Sequence, residues 1–363
     1  MRHRKPALLL VLPFTAIVFV ALLFSTDNSV TSQTPDKRVD PNSTPAQNQN
    51  SNEATSTSTP PQGGEVVKVD IDLVKVDALV LQKNTARIVG GLKKEDFAIY
   101  EDGTRQEITH FSQDSLPLSV LLVIDRGACV DPYRDEVHRA AREAIDRLKL
   151  VDEIAVVSYH TTTTLVQPFT RNRMLIENAL NGIEPQIKVA GHCLNRLFAY
   201  AADYLNLASN PAGRRVVIVI SALTRAFDCP DAPTGKAAAM AIYESGAVVC
   251  AIIPKVLGQG VENSIMTMAT RVTRVGAVNY MDIQTLADET GGEVLSDKPE
   301  KLETTFQALI DHLRSRYNLA FVSTNKKRDG TMRKLKLDVA PPVQKPPVKL
   351  VIKARRSYIA PRS

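Results

Sequence analysis

The spacing of apolar residues changes near Pro117 and again near Arg316, which divides the chain into a central region and two flanking regions. Between Pro117 and Arg316, short apolar runs alternate with segments whose apolar residues recur at helical spacing. The run from Leu118 to Ile124 is apolar and rich in β-branched residues, which is typical of a strand buried on both faces of a parallel sheet. We therefore predict an α/β fold, with a doubly wound, mainly parallel sheet and helices on both faces.

The same pattern predicts the individual elements. Strands are expected at Leu118–Ile124, Glu153–Tyr159, Thr163–Pro168, Val216–Ser221, Ala247–Ile253 and Glu293–Leu295. Helices are expected at Pro132–Leu148, Arg171–Gly182, Cys193–Leu207, Thr234–Ser245, Ile283–Thr290 and Pro299–Arg316. Ligands of open α/β sheets bind outside the carboxyl ends of the strands, so Asp125, at the end of the first strand, marks the edge where function is expected.

Residues on either side of this region have strand patterns only. Asp102-Gly103 predicts a hairpin, with its return strand at Gln106 to Phe111. We predict that residues 65–115 and 317–363 pack together as one small β-module beside an α/β domain at 116–316. Residues 255–279 are an insertion in that domain, either a partner-binding loop or a mobile excursion.

The amino terminus predicts export. Basic residues at positions 2 to 5 precede an apolar run at 7–24, so residues 1–25 are a signal peptide or a signal anchor. Residues 26–64 are rich in Ser, Thr, Asn and Pro and are predicted to be a disordered linker. We expect an exported protein at the periplasmic or extracellular face of the envelope, with residues 7–24 favoured as an inner-membrane anchor.

Composition narrows the function classes. The chain has 363 residues, a net charge of +6, no Trp and only 5% aromatic residues, which argues against surfaces that stack on carbohydrate or nucleic-acid bases. The basic residues near the C-terminus are interpreted as charges on the solvated faces of strands, in preference to a basic tail that meets acidic envelope polymers or lipid head groups. A phosphate-binding loop, a nucleophile elbow and a credible carboxylate pair are all missing from the sequence, so we predict no enzyme, no cofactor and no nucleic-acid partner.

Several stretches resemble a known family. They are G-L-K-K-E-D-F-A-I-Y-E-D-G-T-R-Q-E-I-T-H-F, L-A-D-E-T-G-G-E-V, L-R-S-R-Y-N-L-A-F, T-N-K-K-R-D-G-T-M-R-K-L-K-L and A-R-R-S-Y-I-A-P. With the opening strand and its terminal Asp, they resemble the von Willebrand factor type A (VWFA) fold, and more narrowly the exported VWFA-related proteins of acidobacteria. The resemblance extends from about Val66 to Pro361, and it is specific for the family but not for any biochemical activity.

The resemblance also implies a metal-ion-dependent adhesion site, in which Mg²⁺ is held by D-x-S-x-S, a Thr and a second Asp. Asp125 matches the leading Asp, whereas Gly127 and Cys129 stand at the two Ser positions. His192 replaces the Thr and Ala222 stands at the second Asp. Because only Asp125 is retained, we predict a degenerate site that holds no Mg²⁺.

Cysteines take the place of these ligands. Cys129, Cys193 and Cys229 fall in loops at the expected functional edge, and an exported protein rarely keeps loose surface cysteines. We predict a disulfide between two of these three, without choosing the pair, and a buried free thiol at Cys250. His160, followed by four Thr residues, is expected in a polar hairpin and not in a ligand cluster.

The favoured function is an exported, envelope-tethered module that binds an unknown protein partner, with the membrane contacted through the N-terminal segment. The predicted recognition surface is Asp125, Arg126, His192, Arg225 and Asp228. One alternative is a structural or assembly component of the envelope that acts through the β-module. The other is a thiol or transition-metal site built from Asp125, Cys129, His192, Cys193 and Cys229.

Overall fold

A computed structural model describes residues 73–127, 130–185, 191–255, 280–340 and 349–362. The predicted signal segment, the linker, residue Cys129 and nearly all of the predicted insertion at 255–279 lie outside these ranges. In the part of the chain that is described, no helix combines the length and the apolar composition needed to span a membrane.

The centre of the fold is a six-stranded sheet in the order β12-β10-β8-β5-β6-β7. Its strands are β5 (Leu118–Asp125), β6 (Glu153–Tyr159), β7 (Thr163–Thr170), β8 (Arg214–Ile220), β10 (Val248–Pro254) and β12 (Val294–Asp297). All neighbours pair in parallel except β6 and β7, which form an antiparallel pair. Every residue of β5 is buried, as its apolar run predicted.

Helices cover both faces of this sheet, which confirms the predicted fold class. They are α1 (Arg134–Asp146), α2 (Arg173–Asn181), α3 (Leu194–Tyr204), α4 (Gly235–Ser245), α5 (Ile283–Thr290) and α6 (Leu302–Arg314). Helices α1, α2 and α6 pack on the face that includes Val120 and Leu122. Helices α3, α4 and α5 pack on the opposite face, with Leu121 and Val123, because successive side chains of a strand point to opposite sides.

Strands from both flanks of the α/β region form two further four-stranded sheets, which share one apolar core. The first flank provides β1 (Leu73–Gln82), β2 (Phe97–Glu101), β3 (Thr104–Gln106) and β4 (Ile108–Ser112). The second provides β13 (Tyr317–Val322), β14 (Met332–Val339), β15 (Leu350–Lys353) and β16 (Ser357–Ile359). One sheet has the order β15-β1-β13-β4 and the other β16-β14-β2-β3, so each mixes strands from both flanks. The domain boundaries themselves stay a prediction.

Short elements differ most from expectation. The return strand predicted at Gln106 to Phe111 is wrong, because β3 closes the hairpin and β4 joins the other sheet beside β13. Two three-residue strands, β9 (Arg225–Phe227) and β11 (Tyr280–Asp282), pair with each other and were not predicted. Such strands carry too few residues for a period to be recognised in the sequence.

A buried ion pair joins the two flanks inside the β-module. Arg333 of β14 donates to the Glu101 carboxylate of β2 at 3.0 Å, and both side chains are at most 3% exposed. Tyr358 and Ser323 donate further hydrogen bonds to the same carboxylate, at 2.7 Å and 2.6 Å. Arg333 therefore corrects the expectation that the basic residues near the C-terminus all lie on solvated strand faces.

Two glycines set the distance between α5 and the sheet. Gly291 ends α5 with φ +78°, as a left-handed C-cap. A Cβ at Gly292 would lie 1.8 Å from the carbonyl oxygen of Val249 in β10, so no other residue fits there without moving the backbone.

We therefore expect Gly292→Ala to destabilise the protein by about 3 kcal/mol or more, at the upper end of overpacking costs. Urea denaturation followed by circular dichroism measures the change. Gly90→Ala is the matched control, because a Cβ there meets nothing within 4 Å, and it should change the free energy of unfolding by less than about 0.5 kcal/mol. Equal effects of the two substitutions would contradict the close approach of Gly292 to Val249.

Candidate functional site

The site lies where the strand order of the central sheet reverses. From β5 the chain continues to β6 and β7 on one side, then crosses to β8, β10 and β12 on the other. Asp125 ends β5, and Ser221 directly follows β8, the neighbouring strand. Their side chains meet across this switch point, where open α/β sheets bind their ligands.

The Asp125 carboxylate is fully buried and is held by several donors. Oδ1 accepts the backbone N–H of Gly127 at 2.8 Å, and Oδ2 accepts the Ser221 hydroxyl at 2.7 Å. The hydroxyl of Tyr159 in turn donates to Ser221 Oγ at 2.8 Å. Burial, together with the negative charge of Asp125, raises the pKa of Tyr159 well above its usual value, so this phenol stays a neutral donor.

Two imidazole rings complete the surroundings of the carboxylate. His192 Nε2 lies 3.1 Å from Asp125 Oδ2, and its side chain is 8% exposed. His160 Nδ1 lies 4.0 Å from Asp125 Oδ1. The two rings are perpendicular, with centroids 4.5 Å apart. Asp125, His160 and His192 each offer a ligand atom within 4.8 Å of the others.

His160 lies in the predicted hairpin between β6 and β7, but its ring is buried beside Asp125. It directly follows Tyr159, the last residue of β6, and is buried with only 2% exposure. Its carbonyl oxygen also accepts the backbone N–H of Cys193, which ties the end of β6 to the start of α3. Its place one residue beyond a buried strand, at the same edge as Asp125, is the sequence signal that could have identified it.

The described side chains around Asp125 do not fit Mg²⁺. This ion demands octahedral coordination by oxygen atoms, and here the carboxylate faces two imidazoles and a single hydroxyl, that of Ser221. Gly127 stands at the position of a hydroxyl ligand, and a Cβ there would lie 2.9 Å from His192 Nε2 and 3.0 Å from His160 Nδ1. The histidine rings thus occupy the space that a serine side chain would need. Ala222, at the position of the second acid, carries no oxygen ligand in its side chain.

A disulfide between Cys193 and Cys229 confirms the prediction that two of the three loop cysteines are joined. It links the N-cap of α3 to the loop before α4. The buried side chain of Asn195 supports the same loop, because it donates to the carbonyl oxygens of Cys229 and Pro233 and accepts the N–H of Cys229. Cys250 is the predicted buried thiol, and burial raises its pKa to about 11.

The other predicted surface residues have local structural partners. Arg126 donates to the Thr162 hydroxyl at 2.9 Å, and Arg225 forms an ion pair with Asp282 that joins β9 to β11. Asp228 accepts the N–H of Gly235, the first residue of α4, at 2.6 Å. These side chains are partly exposed, whereas Asp125 is buried and faces no solvent. Whether they bind a partner stays a prediction.

Comparisons with known proteins give one domain match and several similar solved structures. Residues 120–222 match the von Willebrand factor type A domain. Similar solved structures include BatB from Bacteroides thetaiotaomicron, at 17% identity and a TM-score of 0.39, covering 55% of this chain and 100% of that one. An aerotolerance-related membrane protein from Bacteroides fragilis is 17% identical with a TM-score of 0.38, covering 53% and 98%.

Proximal thread matrix protein 1 from the mussel byssus is 12% identical with a TM-score of 0.41, covering 56% of this chain. The match spans about half of the mussel protein, 49% of its length. The search of curated proteins found no match to the sequence.

The disulfide should contribute strongly to stability. The two cysteines are 36 residues apart, and closing a loop of that length in the unfolded chain corresponds to about 4 kcal/mol in the chain-entropy model. We expect reduction, or the Cys193→Ser/Cys229→Ser double variant, to lower the free energy of unfolding by about 2 to 4 kcal/mol in urea denaturation.

Cys250→Ala is the control, because this thiol belongs to no disulfide and its loss should leave the effect of reduction unchanged. Peptide mapping without reductant should recover Cys193 and Cys229 in one linked pair. Alkylation of native protein at pH 8 should spare Cys250, because its raised pKa and burial keep it a protonated, inaccessible thiol. A linked pair that contains Cys250, or a stability insensitive to reductant, would contradict the assignment.

Proposed function

We propose that this chain is an exported, envelope-tethered module that binds a protein partner without Mg²⁺, a proposal that begins from the match of residues 120–222 to the von Willebrand factor type A domain. Domains of this type commonly mediate protein interaction and adhesion. One observation carries the proposal. At the carboxyl edge of the sheet, a disulfide fixes the loops around the buried Asp125, and the described side chains there do not form a set of ligands for Mg²⁺.

A preformed surface at this edge supports recognition of a protein. The disulfide and Asn195 fix the loop before α4, so little conformational entropy is lost when a partner binds there. Asp231 in that loop has a side chain 76% exposed and pairs with Arg196 of α3 at 2.5 Å. Pro230 beside it is also exposed. The partner-facing positions are thus the loop residues around the disulfide, and Asp125 acts beneath them as a positioning residue.

The ligand set supports independence from Mg²⁺. In a domain that uses Mg²⁺, an acidic group of the partner completes the coordination of the ion. Here Gly127 and His192 stand at two of the hydroxyl positions, so a Mg²⁺ ion that bridges Asp125 to a partner carboxylate would lack those two ligands. Recognition then depends on shape and on hydrogen bonds around the edge.

Export and tethering are supported by two independent observations. Basic residues followed by the apolar run at 7–24 have the pattern of a signal or signal anchor. The disulfide between Cys193 and Cys229 is of the kind that persists in oxidising compartments outside the cytosol. The polar residues at 26–64 would then hold the folded domains away from the membrane surface.

Site-specific photo-cross-linking in the full chain tests where a partner binds. A photoreactive residue is placed at Pro230 near the disulfide, at Leu150 at the opposite end of the sheet, or at Lys336 on the β-module. All three are exposed, Leu150 by 85% and the Lys336 side chain by 70%. We expect a discrete protein adduct at position 230 only, with the same yield in buffer lacking Mg²⁺.

The other outcomes separate the alternatives. An adduct at 336 but not at 230 would favour an envelope component that acts through the β-module and would contradict the proposal. An adduct at 230 that requires added Mg²⁺ would contradict the independence from that ion. The variants themselves should unfold at the same temperature as the natural protein, because each replaced side chain is exposed.

A further inference from the structure

We propose that Asp125, His160 and His192 form a binding site for a transition-metal dication such as Zn²⁺, in place of the Mg²⁺ site of the fold. Two imidazole nitrogens and one carboxylate oxygen are ligands that zinc takes from proteins. This inference concerns the metal ion alone and does not depend on any partner of the protein.

The distances suit coordination by a single small ion. Metal–ligand bonds of 2.0–2.1 Å in a tetrahedral site place ligand atoms about 3.3 Å apart. His192 Nε2 lies 3.1 Å from Asp125 Oδ2, and His160 Nδ1 lies 4.0 Å from Asp125 Oδ1. All three ligand atoms fall within 4.8 Å of one another, so shifts of an ångström or less at the rings bring them into place.

The scaffold of the site is rigid, which favours a fixed geometry. Asp125 ends β5 and His160 directly follows β6, two strands that pair in parallel along their whole length. His192 precedes Cys193, whose disulfide and backbone hydrogen bond to the His160 carbonyl oxygen fix the start of α3. Residues anchored on strands and a disulfide hold ligands more precisely than residues on open loops.

Asp125 already has the outer hydrogen bonds that orient a ligating carboxylate. Ser221 donates to Oδ2 and the backbone N–H of Gly127 donates to Oδ1, which leaves each oxygen a further lone pair for a metal ion. Tyr159 orients Ser221 from behind. Such outer contacts are typical of protein metal sites, where they fix the direction of the ligand.

Gly127 is essential to this arrangement. A Cβ at this position would approach His192 Nε2 and the His160 ring within 3.0 Å, so a larger residue would displace both imidazoles from the carboxylate. A serine at position 127 and the two histidine rings therefore cannot occupy their places at the same time. With three protein ligands, a tetrahedral ion would keep a fourth position for water or for a group of a bound molecule. His192 is the most exposed of the three side chains, so solvent reaches the site from its side.

Isothermal titration of the full chain with Zn²⁺, after chelation, dialysis and alkylation of accessible thiols, tests the site. Alkylation excludes thiolates as ligands in the titration. We expect the natural protein to bind one Zn²⁺ per chain. His160→Gln and His192→Gln should each lower the affinity by at least about a hundredfold, because substitutions of residues that only hydrogen-bond to a metal ligand typically cost about 10- to 100-fold. Excess Mg²⁺ should not compete. His110→Gln, which alters an exposed histidine of β4, should bind Zn²⁺ as the natural protein does.

A thermal melt of each variant gives a second, independent measurement. Zn²⁺ should raise the melting temperature of the natural protein and of His110→Gln, because a ligand that binds only the folded state stabilises it. The melting temperatures of His160→Gln and His192→Gln should not change when Zn²⁺ is added. Unaltered Zn²⁺ affinity in His160→Gln and His192→Gln, or no binding by the natural protein, would overturn the proposal. Equal losses in His110→Gln would assign the binding to scattered histidines and would overturn it as well.

Discussion

A carboxylate buried at the end of a central strand is the constraint on which the functional edge depends. Asp125 has no exposed side-chain surface, and a buried charge is costly unless it is paired and hydrogen-bonded. The structure meets this cost with a hydroxyl from Ser221, a backbone N–H from Gly127 and the ring of His192. Each of these groups comes from a different loop, so a single carboxylate fixes the loops after β5 and β8 and the loop before α3 relative to one another.

Loops fixed in this way hold the proposed recognition edge in place without Mg²⁺. The disulfide between Cys193 and Cys229 joins the start of α3 to the loop before α4, Asn195 holds that loop, and Asp228 accepts the N–H of the first residue of α4. In the proposed function, these restraints take the role that metal coordination has elsewhere in the fold. The β-module is stabilised separately, through the buried pair of Glu101 and Arg333.

Elements long enough for their apolar spacing to repeat were predictable from the sequence. Strand β6 and helix α5 have the predicted bounds, because buried strands and amphipathic helices leave a clear apolar signal. The three-residue strands β9 and β11 were missed, since their pairing depends on tertiary contacts. The pairing of the cysteines was likewise open, because only the geometry of the loops selects Cys193 and Cys229.

The site was predicted in part. Asp125 was singled out by its place at a strand end and His192 by the family resemblance, while His160 was set aside because the four Thr residues after it indicated a polar hairpin. The burial of Arg333 could not be predicted from the sequence either. Arg333 resembles its solvated basic neighbours, and only the position of Glu101, 232 residues earlier, makes it a core residue.

This edge of the sheet presents one carboxylate and two imidazoles where the fold usually presents oxygen ligands for Mg²⁺. X-ray absorption at the zinc edge of the Zn²⁺-loaded full chain would show which atoms bind the metal ion. We expect a first shell of nitrogen and oxygen at about 2.0–2.1 Å, with the outer-shell scattering of two imidazole rings. A shell with sulfur at about 2.3 Å, or one without imidazole scattering, would contradict it.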